Sequence, residues 1–166
     1  MSETLSRAEQ IDKIGELIAG VRISTLTTVD ADGSPWTRPM AVQTDGFDGT
    51  LTYFTKSDSA KVGRVAANPN VAVAFSNPDD ETYVMMAGTA SVANDRARIA
   101  ELWSEPMRTW FPDGPDDPEL RLLTVDVSRA EFWDTPSSAV VYALGYAKAV
   151  LTGKPATPGE HGVVEL

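Results

Sequence analysis

Between Leu51 and Phe75 the chain reads LTYFTKSDSAKVGRVAANPNVAVAF, and this one stretch does most to limit how it can fold. Leu51 to Thr55 is β-branched and aromatic, the composition of a strand. Ser57 is placed to cap a helix in which Val62, Val65 and Ala66 recur at helical spacing, and Asn68-Pro69 stops it. Val71 to Phe75 is short and wholly apolar, the pattern of a strand buried on both faces. A strand therefore runs straight into a helix N-terminus, whose first amides lack intrahelical acceptors and carry partial positive charge. Lys61 lies about one turn further on, over the Ser57 and Asp58 side. An anion is favoured at such a junction, and a cofactor phosphate is the obvious one. Asp58 could equally satisfy the helix dipole, so spacing alone leaves both readings open. Charge weighs for the anion. From Arg38 to Arg64 there are four basic residues (Arg38, Lys56, Lys61, Arg64) and three acidic ones (Asp45, Asp48, Asp58), a local +1 in a chain of formal charge -10.

Turn residues cut the rest of the chain into short elements. Ser6-Arg7-Ala8-Glu9 has the form of a capping box, and Ile11, Ile14, Leu17 and Ile18 make an apolar stripe ending at Gly20, which predicts an amphipathic helix. VRISTLTTV, 21–29, puts Val21, Ile23, Thr25, Thr27 and Val29 on one face of a strand. Asp30-Ala31-Asp32-Gly33 turns it, and SPWTRPMAVQT, 34–44, is a second strand. Gly46-Phe47-Asp48-Gly49 leads into Leu51, so three antiparallel strands precede the helix. Asn77-Pro78-Asp79-Asp80 precedes TYVMMAGTASV, 82–92, in which Gly88 leaves room for a bulge or a close neighbour. Asn94 or Asp95 caps a helix through Trp103, with Ile99, Leu102 and Trp103 on one face. A loop rich in Pro, Gly and Asp spans Ser104 to Pro118, and Leu120 to Val127 and Ala130 to Asp134 are the last clear strands. Val140-Val141-Tyr142 fits strand or helix, Ala143 to Thr152 reads as helix stopping at Gly153, and the tail beyond Lys154 is expected to be mobile. Six to seven short antiparallel strands with short helices between them make a mainly β fold with α decoration, a closed or nearly closed barrel.

At 166 residues and 42% apolar the chain fits a single domain, 1–166, with one proper core. Its negative charge argues against nucleic acid and anionic membranes as partners, because both bind largely through neutralisation of phosphate. There is no cysteine and His161 is the single histidine, which leaves no thiolate nucleophile, no histidine-based triad and no ordinary structural metal site. MSETLSRAEQ has no apolar core of an export signal and no run approaches membrane-spanning length, so the cytoplasm is the expected location.

Few residues can carry chemistry. Arg38-Pro39-Met40 lies inside the second strand, where a proline demands an edge, a bulge, or backbone turned toward a ligand. Arg38 offers a planar fork for a phosphate or a carbonyl-rich ring, and the backbone after Pro39 could meet a flat heterocycle; an edge strand with a solvated arginine is the plainer alternative. Thr55, Ser57 and Ser59 supply hydroxyls and Lys61 a charge, four neighbouring positions converging on one anion. Trp103, Trp110-Phe111 and Phe132-Trp133 could wall a planar ligand, or equally form core and dimer interface. Asp79-Asp80-Glu81 and Asp116-Asp117 lie in turns and read as solvated loop acids. No catalytic residue can be assigned, and any catalysis must draw its reactivity from a cofactor.

TRPMAV in the second strand, then YFTKSDSAK running into VGRVAANPNVAVAF, resembles the pyridoxamine 5'-phosphate oxidase-like FMN-binding split barrels. Within them, the 110–118 segment WFPDGPDDP followed by LRLLTVDVSRAEFWD resembles the bacterial general stress protein branch. The resemblance covers roughly residues 6 to 153 and implies a split β-barrel. It also implies a homodimer with a flavin, FMN or alternatively FAD, at the subunit interface. By that resemblance Arg38 and Lys61 hold the phosphate with Thr55 and Ser59 beside Phe54. Pro39, Met40 and Ala41 present backbone to the isoalloxazine, Trp133 approaches the flavin of the partner subunit, and Trp110 lines the same pocket. One departure matters. In the oxidases an Arg-x-His segment after the Phe-Trp motif grips the substrate phosphate, whereas Thr135-Pro136-Ser137-Ser138-Ala139-Val140 contains neither residue. A dianionic substrate needs fixed cations, so oxidation of a pyridoxamine phosphate is not expected. The resemblance implies a flavin-dependent oxidoreductase of unspecified substrate; a non-catalytic flavin carrier or sensor, and a flavin-free interaction protein, are the rival readings.

Overall fold

The structure, a computed structural model, describes residues 6–43, 46–135, 139–155 and 159–166. In chain order the elements are α1 (Arg7–Ile18), β1 (Ile23–Val29), β2 (Pro35–Ala41), β3 (Thr50–Lys56), α2 (Ala60–Ala67), β4 (Asn70–Asn77) and β5 (Thr82–Ala93). There follow α3 (Arg96–Leu102), a 3₁₀ turn (Glu105–Thr109), β6 (Leu120–Asp134), α4 (Ala139–Thr152) and β7 (Glu160–Glu165). The capping box forms as the sequence predicts: Ser6 accepts from the Glu9 amide, and Glu9 accepts from the Ser6 backbone N–H.

All seven strands belong to one sheet, ordered β2-β1-β4-β5-β6-β3, with β7 also paired to β6. The pairings are antiparallel throughout. β3 does not extend the β1–β2 hairpin into a third consecutive strand; it crosses to the far end and pairs with β6. The two ends of the sheet then meet. Val42, just past β2, forms a bridge with Tyr53 of β3, and the Gln43 N–H donates to the Thr52 carbonyl at 2.9 Å. The result is a barrel stitched along a short seam, the split barrel expected from the resemblance.

β6 is one strand of 15 residues rather than two, and its middle explains the apparent break. Leu123, Val125 and Val127 point into the barrel, then Ala130 and Phe132 do, so the inward parity changes across Ser128. The register against β5 shifts at Ala87/Gly88, where Val127 faces Gly88 but Arg129 faces Ala87. One extra residue on β6 makes a β-bulge. A Cβ on Gly88 would stand 2.2 Å from the Asp126 carbonyl oxygen, so the predicted bulge and the predicted close neighbour are the same feature.

The core lies inside the barrel, with Ile14 of α1, Leu26, Tyr53, Val73, Val84 and Leu123 among its most deeply buried members. A second, smaller cluster covers the outer side of β3 and β6, where Phe54, Leu120 and Leu122 pack on Ile99, Met107 and Phe111. β3 is thus the strand buried on both faces. β4, expected to be so, alternates, with Val71, Val73 and Phe75 buried and Ala72 exposed, because only its inward face is covered. In β1 the inward set is Ser24, Leu26 and Thr28, leaving Ile23 exposed.

The C-terminal segment corrects another expectation. Residues 139–152 form a helix, and the chain beyond Lys154 returns as β7, pairing Arg129–Asp134 of β6 with Glu165–Glu160. Gly162 permits this docking, since a Cβ there would press to 2.7 Å from the Phe132 ring. Position 44 of the second-strand reading and positions 136–138 of the segment lacking Arg-x-His lie outside the described residues.

Candidate functional site

The seam between β2 and β3 opens soon after it is stitched. Continuing the Val42–Tyr53 register would bring Met40 opposite Thr55 and Arg38 opposite Ser57, but no such pairs form. β2 is the terminal strand of the sheet, which is where Pro39 is tolerated, since its missing N–H then costs no ladder bond. Into this opening come side chains from four elements, β1, β2, β3 and α2.

Lys61, in the first turn of α2, donates to Thr55 Oγ1 at 3.1 Å and to Ser59 Oγ at 2.6 Å. Ser59, not Ser57, occupies the N-cap position of α2, and its hydroxyl makes no capping bond. Ser57 is drawn away, its hydroxyl paired with Glu119. From the opposite strand Arg38 donates through Nη2 to Thr28 Oγ1 at 2.9 Å, and the Arg38 Nη1 is buried with no hydrogen-bond partner among the described residues. Thr28 comes from the inward row of β1 and is fully buried.

The electrostatics of this group are unbalanced. Burial first, and the Arg38 charge second, push the Lys61 ammonium below its usual range, while Asp58 pulls the other way. Burial, then the Arg64 charge, lowers Arg38 as well. Arg64 itself is satisfied, paired with Asp30 at 3.0 Å and lying 5.0 Å from the Trp36 ring centroid. Neither Arg38 nor Lys61 makes a salt bridge among the described residues. Two partly desolvated cations and an orphaned N–H fit an anionic group with several acceptor oxygens, such as a phosphate. The solvated-arginine alternative does not describe Arg38.

The other candidates fall in different places. Met40 is buried beside the seam and its carbonyl lies 3.5 Å from the Ser24 hydroxyl; Pro39 and Ala41 face outward on β2. The Phe54 side chain turns away from Thr55 into the outer cluster, 5.8 Å from the Trp103 ring and 6.0 Å from Phe111, so only its backbone adjoins the seam. Trp110 is 64% exposed beyond the 3₁₀ turn. Trp133 lies on the outer sheet face, stacked on His161 at 5.1 Å between centroids. Trp110 and Trp133 thus sit on the loop after the 3₁₀ turn and on β6, not on the elements that carry Arg38 and Lys61. Sequence reasoning missed Thr28, which could have been found from its alternation with Leu26.

The Asp117 carboxylate, expected to be solvated, is instead 4% exposed and paired with Lys56, fixing the 104–118 loop to the end of β3. No group of three or more His, Cys, Asp or Glu suited to a metal occurs among the described residues. No helix among them is long and apolar enough to cross a membrane.

Residues 9–157 match the family described as pyridoxamine 5'-phosphate oxidase like. Protein bli-3 of Neurospora crassa is 26% identical over 161 residues, covering 90% of this chain and 76% of that protein. A solved structure described as a candidate general stress protein 26 from Jannaschia sp. CCS1 superposes with a TM-score of 0.74 at 27% identity, covering 96% of this chain and 99% of the other. The general stress FMN/FAD binding protein of Xanthomonas citri superposes with a TM-score of 0.67 at 28% identity, covering 79% and 92% of the two chains.

Proposed function

We propose that this chain, since it belongs to the pyridoxamine 5'-phosphate oxidase-like family, binds FMN as a cytoplasmic homodimer and serves as a flavin-dependent oxidoreductase. One observation carries the reading: the buried, unpartnered Arg38 Nη1 beside Lys61, a cation pair that makes no salt bridge among the described residues. Thr55 and Ser59 hold the Lys61 ammonium in place, Thr28 holds the Arg38 fork, and the phosphate is the group whose oxygens satisfy both. Pro39 to Ala41 pair with β1 on one side, and the other edge of β2, which no strand covers there, runs along the opening and is suited to a flat, amide-bearing ring. When bound, FMN would supply two-electron redox chemistry that no side chain here offers.

The homodimer is supported by the outer sheet face. Tyr83, Met85, Trp133 and Val163 are exposed together on it through the registers of β5, β6 and β7, and Ile23 is exposed at the start of β1. An apolar patch of this extent on an acidic chain marks an association surface. The substrate is expected not to be a phosphate ester, since no second cation cluster without partners accompanies the first among the described residues.

Titration of the purified chain with FMN, FAD and riboflavin tests this reading. FMN should bind tightest, with flavin fluorescence quenched and a solution mass of two chains. A monomer that leaves FMN fluorescence unchanged would overturn it. Oxidation of a reduced nicotinamide by the FMN-loaded protein with an added electron acceptor separates an enzyme from a carrier.

A further inference from the structure

We infer that the cavity between α2 and the ends of β5 and β6 binds a small aliphatic carboxylate through Arg121. The site goes beyond the flavin reading and does not depend on it. Three elements build its walls. Val62, Val65 and Ala66 come from α2, Ala90 and Val92 from β5, and Arg121 from the start of β6, around a volume of about 430 Å³. Small-molecule sites span roughly 300 to 1,000 Å³. No aromatic ring lines the cavity among the described residues, so its walls suit a saturated chain rather than a stacked ring.

Register explains why a cation stands there. Arg121 faces Thr55 of β3 and precedes Leu123 by two residues, so it ends the inward row of β6 that Leu123 and Val125 continue. Its fork is half used. Nη1 donates to the carbonyls of Pro118, at 2.6 Å, and Leu120, at 2.9 Å, whereas Nε and Nη2 have no hydrogen-bond partner among the described residues. Nor does Arg121 make a salt bridge among them. Nε and Nη2 share one edge of the guanidinium, the edge that pairs with both oxygens of a carboxylate. Glu119, the acid nearest along the chain, is engaged by the Ser57 hydroxyl instead. Asn94, also on the lining, accepts from Arg96 through Oδ1, which leaves its Nδ2 as a further donor. Apolar walls with donors among them, and no carboxylate on the guanidinium, fit an anion carried on a hydrocarbon chain.

Isothermal titration calorimetry of the full chain with octanoate and octanamide tests this, since the two share a chain and a planar head and differ in charge. Octanoate should bind, with octanamide at least tenfold weaker. Butyrate should also be at least tenfold weaker than octanoate, since each buried methylene is worth about fourfold. Arg121→Gln should weaken octanoate at least tenfold. Because Arg121 also ties two carbonyls, a second variant spares it. Ala66 is an exposed helical position where leucine is well tolerated, and Ala66→Leu should fill the cavity from α2 and abolish octanoate binding with the thermal midpoint unchanged. FMN affinity in Ala66→Leu should stay within threefold, since Lys61 turns to Thr55 and Ser59 rather than to the cavity. No binding of octanoate, equal affinity for octanamide or butyrate, or unchanged octanoate affinity in Ala66→Leu would each overturn the proposal. Loss of FMN together with octanoate in that variant, at an unchanged midpoint, would make the cavity part of the flavin site and overturn it too. A parent chain that binds octanoate but not FMN overturns the flavin reading alone.

Discussion

Gly88 of β5 lies so close to Asp126 of β6 that a Cβ would stand 2.2 Å from the Asp126 carbonyl oxygen. The contact is with backbone, which cannot swing aside, and it sits beside the bulge that reverses the inward parity of β6. Gly88→Ala should therefore cost roughly 2 to 4 kcal/mol, read as a lowered denaturation midpoint in urea. A change below about 0.5 kcal/mol would mean that the two strands separate freely.

Lys61 is the residue where binding and stability oppose each other. Its ammonium is partly buried against a second cation, so replacing it with an apolar side chain of similar length removes repulsion from the flavin-free protein. Lys61→Met should leave the thermal midpoint unchanged or raised while weakening FMN by about one to two decades. Riboflavin, which lacks the phosphate, should bind the variant and the parent alike. Parallel losses for FMN and riboflavin would remove Lys61 from phosphate recognition.

Asp117 couples acid stability to the loop fixed at the end of β3. Its bond from Lys56, and then the Glu119 amide, hold the carboxyl below the usual carboxylate range. A carboxyl depressed in the folded state contributes stability above its unfolded value of 3.8 and loses it as pH falls through the folded value. Asp117→Asn should cost about 1 to 3 kcal/mol at neutral pH and flatten the stability profile below about pH 4. An unaltered acid limb in the variant would place the acid-sensitive group elsewhere.

Tyr53 governs the alkaline side. Buried in the barrel with its hydroxyl 2.9 Å from Ser24 Oγ, it is pushed up to about 12 by desolvation, from an ordinary 10.0. The unfolded chain ionises first, so stability present below pH 10.0 falls away as pH rises toward 12. Ultraviolet titration should show one tyrosine that ionises only with unfolding, and Tyr53→Phe should lose that late step.

Local chemistry was legible in the sequence. The Ser6–Glu9 capping box, the β3-to-α2 junction, the edge position of Pro39 and the bulge at Gly88 all follow from short-range rules of caps, prolines and glycines. What could not be seen depended on partners distant along the chain. Which face of β1 turns inward is decided by the barrel core that Leu26 joins, and β3 is doubly buried because the loop and α3 fold over its outer side. β4 reads as apolar throughout because its outward alanines are small, not because they are buried. Within the site, the cation pair was readable from residue type; the pull of Ser57 toward Glu119, and of Phe54 into the outer cluster, was not.

β3 and β7 lie end to end along one side of β6, the first against Leu120–Asp126 and the second against Arg129–Asp134. The last strand therefore works as a guard. A chain shortened after Thr152 would keep most of its barrel yet bare a row of unsatisfied peptide groups flanked by Phe132 and Trp133, a template onto which other copies could polymerise.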